Sequence, residues 1–127
     1  MPPIQVVFYV EDDGMVPLTE WFDQQSAVGQ DRCIDRLKRL RRQGHELRRP
    51  IAAPLRDGIY ELRARDNKVR LRMLFFFHGR ERAVVTHGLK KKADEIPPID
   101  IDRAVEKKRR YDENPEAHTF YWEPDNE

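Results

Sequence analysis

Between Gly58 and Leu89 the sequence lays down three strand-like segments in succession, and this run constrains the fold more than any other feature of the chain. Gly58 to Arg65 places Tyr60, Leu62 and Ala64 on one face, and Val69 to Phe77 does the same with Val69, Leu71, Met73, Phe75 and Phe77. Arg82 to Leu89 is the third. Alternation with period two is the pattern of a strand with a buried face. Asp66-Asn67-Lys68 and His78-Gly79-Arg80-Glu81 carry the residues that tight turns need, so the three segments read as an antiparallel meander.

The apolar faces must coincide, because a one-residue slip turns every side chain over. Arg63, Arg65, Arg70 and Arg72 then share the opposite face. Two registers remain open. A loop of Asn67-Lys68 sets Arg63 directly across from Arg72, an uncompensated like-charge pair that disfavours the sheet. A loop of Asp66-Asn67 sets Arg72 across from Glu61 instead.

Ahead of the meander, Ile4 to Val10 reads as a strand ended by Glu11-Asp12-Asp13-Gly14. Pro17 suits the first turn of a helix over about 17–25. Ser26 caps a second helix running to Gln43, with Cys33, Ile34, Leu37 and Leu40 as its apolar stripe and Gly44 just past its end. Residues 44–57, with Pro50 and Pro54, read as a connecting loop. Pro97-Pro98 opens a last helix over about 99–112, with Ile99, Ala104, Val105 and Tyr111 as packing positions. The expectation is an α+β fold in the order β-α-α-β-β-β, a four-stranded, mainly antiparallel sheet with a C-terminal helix. One domain covers 1–112, and 113–127 is an acidic, flexible tail. Phe120-Tyr121-Trp122 is unusual for such a tail and reads as a docking element on the domain or on a second chain.

Charge is segregated along the chain. Residues 1–31 hold six acids and no Lys or Arg, for a net −6. Residues 32–92 hold 19 Lys/Arg against six acids, for +13, and residues 93–127 return to −6 with five against 11. A basic centre of this kind suits a polyanion, and equally suits a solvated face neutralised by acidic ends. The one cysteine makes no internal disulfide, which fits the cytoplasm. The four histidines have no metal-ligand spacing, so neither metal nor cofactor is expected. Met73 to Phe77 is the longest apolar run, too short for a membrane span, and Met1-Pro2-Pro3-Ile4 is not the start of a signal peptide.

Four segments resemble the phage-derived, HigB-like branch of the RelE/ParE toxin superfamily. Leu55-Arg56-Asp57-Gly58-Ile59-Tyr60-Glu61-Leu62-Arg63 is similar to its L-x-D/G-G-L-Y-E-L-R segment. Val69 to Phe76 is similar to its Y-R-V-F-Y-F strand, His87-Gly88-Leu89-Lys90-Lys91-Lys92 to its H-G-F-x-K-K segment, and Pro97 to Ala104 to the start of its last helix. Order and spacing agree over about residues 55–112. Leu71 and Leu89 stand where that branch carries aromatics, which bears on base stacking.

The resemblance implies a type II toxin that cleaves messenger RNA at the ribosome without metal, silenced by an antitoxin with a helix-turn-helix part. It admits a homodimer. It assigns Arg63, Arg72, His87 and Lys90 to catalysis. Arg63 and Arg72 would stabilise the phosphorane and His87 would move protons, with Lys90 as a base when crowded by cations. Lys38, Arg39, Arg41, Arg42, Arg48, Arg49, Arg65, Arg70, Lys91 and Lys92 would hold RNA phosphates. Two other readings are a ParE-type gyrase inhibitor and a non-catalytic, phage-derived interaction protein. A further expectation is that the acidic tail folds over the basic face.

Overall fold

Ser26 does what its position predicts: its hydroxyl accepts from the Gly29 N–H at 3.0 Å and starts a helix, a cap worth about 1 kcal/mol. The computed structural model describes residues 3–124. The strand Gln5–Tyr9 (β1) is followed by helices Pro17–Asp23 (α1) and Ala27–Gln43 (α2). Strands Ala52–Arg56 (β2), Ile59–Asp66 (β3), Val69–His78 (β4) and Arg82–Lys91 (β5) come next. Helix Pro98–Glu113 (α3) and strand Thr119–Tyr121 (β6) complete the chain, with short 3-10 turns at Gly44–Glu46 and Glu116–His118.

Among the described residues the sheet has six strands in the order β2-β3-β4-β5-β1-β6. The meander is β3-β4-β5, β1 runs parallel to β5, and the other neighbours are antiparallel. The sheet is therefore larger than the four strands expected. The segment read as a loop contains β2, whose Pro54 is tolerated because β2 is an edge strand with one unpaired side. Asp57 (φ 53°) and Gly58 (φ 79°) make the two-residue turn into β3.

The expected tail is also structured where it is described. Phe8 stacks on Phe120 and Trp122, with ring centroids 6.1 and 5.8 Å apart, and β6 pairs with β1. This puts the segment at the sheet edge farthest from β3, so it does not fold over Arg63, Arg65, Arg70 and Arg72. Residues 125–127 of the expected tail lie outside the described residues.

Both faces of the sheet are buried. On one, Cys33, Leu37 and Leu40 of α2, with Leu18 of α1, cover Phe8, Leu62, Met73 and Phe75. Burial there pushes the Cys33 thiol up to about 12, so this cysteine is core. On the other, Ile101, Ala104 and Tyr111 of α3 cover Val7, Ile59, Leu74 and Phe76. Ile99, expected to pack, is 58% exposed because α3 starts at Pro98 and its inward stripe begins at Ile101. Among the described residues no helix is long and apolar enough to cross a membrane.

Candidate nucleic-acid interface

Pairing across the first hairpin settles the register. Ala64 pairs with Leu71 and Leu62 with Met73, which places Arg63 directly opposite Arg72. One pleat further, Arg65 pairs with Arg70, and Arg70 pairs with Lys91 of β5. Two rows of like charge thus lie side by side at one end of the α3 face. The helix itself packs on Ile59, Leu74 and Phe76; of the two rows, Arg65 is exposed, Arg63, Arg70 and Lys91 are partly so, and Arg72 is buried.

The Arg63–Arg72 pair is not uncompensated, as the sequence reading held. The Oε1 of Glu61 accepts from Arg63 Nε and from Arg72 Nε, each at 3.0 Å. Glu61 lies two residues before Arg63 on the same face and diagonal to Arg72, within reach of long side chains in a sheet. Glu61 and Arg72 are buried, at 6% and 8% side-chain exposure, while Arg63 is 30% exposed. Burial pulls the Arg72 guanidinium below its usual range, opposed by Glu61 and assisted by Arg63 and Arg70. It stays protonated, since guanidinium does not release its proton in proteins.

Two clefts meet at Arg63. One, of about 360 Å³, is lined by Glu61, Arg63, Lys91, Arg49, Arg56 and the 94–96 turn before α3. The other, of about 350 Å³, is lined by Arg63, Arg65, Arg72 and Arg36. Arg36 also donates from Nε to the Arg63 carbonyl at 3.0 Å, tying α2 to β3 here.

The lysine run divides between the faces. A bulge between β4 and β5 leaves Thr86 without a partner, as Phe75 pairs with Val85 and Leu74 with His87. Bulges re-aim the side chains that follow them. Lys91 therefore joins Arg70 on the arginine face, while Lys90 pairs with Leu71 on the other. Lys92 is exposed just past the strand.

His87 lies outside both clefts. It is 9% exposed, with Nε2 3.2 Å from Asp100 Oδ1 of α3 and Nδ1 3.0 Å from Thr86 Oγ1. Burial lowers its pKa below the ordinary value; Lys107 and Arg103 act the same way, and Asp100 opposes them. Lys38, Arg39, Arg41 and Arg42 lie on α2, across the sheet from the arginine rows, and Arg41 rests over the Trp122 ring. Arg48 and Arg49 follow the 3-10 turn, and Arg49 reaches the arginine cleft. Glu61 was not singled out from sequence; its signal was the second open register, which brought it to Arg72.

The chain is thus a two-sided α+β domain with paired basic rows at one end of its sheet. The profile described as Phage derived protein Gp49-like (DUF891) matches residues 20–109, and the chain belongs to this family, which is associated with toxins of toxin–antitoxin systems. No curated protein matches the chain.

Proposed function

We propose that this chain is the toxin of a toxin–antitoxin pair and an endoribonuclease that cleaves messenger RNA on the ribosome. The observation that carries this reading is the double row Arg63–Arg72 and Arg65–Arg70–Lys91, with Glu61 as the carboxylate inside it. A phosphodiester crossing Arg63 lies between the two clefts. The 2′-hydroxyl attacks the adjacent phosphorus, giving a 2′,3′-cyclic phosphate and releasing the 5′-oxygen. Arg63 and Arg72 match the charge that grows on the phosphorane oxygens. Glu61 takes the 2′-hydroxyl proton, and Lys91, in the same cleft, supplies one to the departing oxygen.

His87 acts on this site through the chain rather than on the substrate: its contact with Asp100 fixes the first turn of α3, which bounds the cleft. Arg48, Arg49, Arg65, Arg70 and Lys92 hold backbone phosphates, and Lys38, Arg39, Arg41 and Arg42 give a separate footing on ribosomal RNA. An antitoxin with a helix-turn-helix part keeps the chain silent. The test is to incubate purified protein with messenger RNA, with and without ribosomes. Cleavage in the ribosome arm supports the reading, and intact RNA in both arms removes it.

A further inference from the structure

On the other side of the β2 edge lies a concavity of about 380 Å³, a size within the range of roughly 300–1,000 Å³ found for ligand sites. Its walls are aromatic. Exposed His45 stacks on Phe77 with centroids 3.8 Å apart, and Tyr60 meets the edge of Phe77 at 5.3 Å. Its rim is cationic, with Arg48 and Arg49 both exposed. Arg49, Ala53 and Pro54 line both this concavity and the arginine cleft, so the two are continuous over the sheet edge.

We infer that this concavity takes one unpaired nucleobase of the RNA strand that lies in the arginine cleft. The inference rests on the ribonuclease reading above and names how that site would choose its RNA. A strand leaving Arg63 passes Arg49 at the edge, where a phosphate meets a cation, and the next base turns in against the rings. Aromatic faces with flanking arginines are the chemistry that holds a splayed base. His45 Nε2 lies 3.3 Å from the Arg80 carbonyl, an acceptor that holds the ring in place at the rim. A duplex does not enter, because its bases stay stacked.

The test uses the full chain and a single-stranded 2′-O-methyl RNA hexamer, whose blocked hydroxyls prevent cleavage. Affinity is measured for the hexamer and for six versions, each abasic at one position. One position is expected to matter, its abasic version binding about tenfold more weakly, as for loss of one stacked base. His45→Ala is expected to lose a similar factor on the intact hexamer and nothing more on that abasic version. Equal affinity for all seven RNAs, with Arg63→Ala still weakening each of them, overturns the base site and keeps the ribonuclease reading. No binding of any of the RNAs by the unaltered chain overturns the base site, and the ribosome arm above then decides the ribonuclease reading.

Discussion

Arg63 and Arg72 face each other across β3 and β4, and both donate to the same oxygen of Glu61. Two cations and one carboxylate leave this buried corner positive, which is costly in isolation and useful when a phosphate arrives. Glu61→Gln removes the shared charge and leaves two guanidinium groups against each other. It is expected to destabilise the fold by about 3 kcal/mol, the lower end for breaking a buried ion pair, since Arg63 is partly solvated. Urea unfolding reads this directly; a loss under 1 kcal/mol would mean that the pair is held by something else.

Replacement of Arg72 separates charge from shape. Lysine keeps the charge but not the planar fork that matches phosphate oxygens. Arg72→Lys is expected to lose about 10²–10³-fold in RNA cleavage, the range for removing one transition-state donor. Near-native cleavage by the lysine variant would reduce Arg72 to a point charge.

Acid should weaken the packing of α3. The folded His87 holds its proton less tightly than a free histidine, because it is buried and faces Lys107 and Arg103, with Asp100 opposing. The unfolded chain therefore binds more protons near its ordinary value of about 6.5. The stability from the neutral ring is complete above that pH and is lost as the pH falls toward the lower folded value. His87→Gln should flatten this part of the profile, measured by unfolding between pH 7 and 5. A variant that keeps the slope would assign it to another group, and one that loses all cleavage at unchanged stability would make His87 a catalytic group.

Gly88 has no room for a side chain. A Cβ there would meet the Trp21 ring at 2.2 Å. Gly88→Ala must push α1 away from β5 and is expected to cost about 1–3 kcal/mol, as overpacking does. Thermal melting checks it, and an unchanged midpoint would show that Trp21 swings aside freely.

The strands of the meander, the Ser26 cap and the apolar stripe of α2 are legible because alternation, capping chemistry and helical spacing are local signals. β2 was hidden by Pro54, which reads as a breaker unless the strand is known to lie at an edge. β6 is three residues among acids and prolines, and only its pairing to β1 makes it a strand. In the site, the facing of Arg63 and Arg72 followed from one of the two loop choices. The division of Lys90 from Lys91 did not, because it depends on the bulge at Thr86, and no residue pattern announces that bulge. Glu61 was equally obscure: its bond to Arg72 runs diagonally across the pair, which strict register does not display.

The central claim is cleavage of RNA by the arginine corner. Its most direct test is to induce the chain in cells and map transcript ends chemically. The account predicts new fragments ending in 2′,3′-cyclic phosphate, present with the unaltered chain and absent with Arg72→Ala. Growth arrest with intact transcripts, or identical fragments from the Arg72→Ala variant, would contradict it.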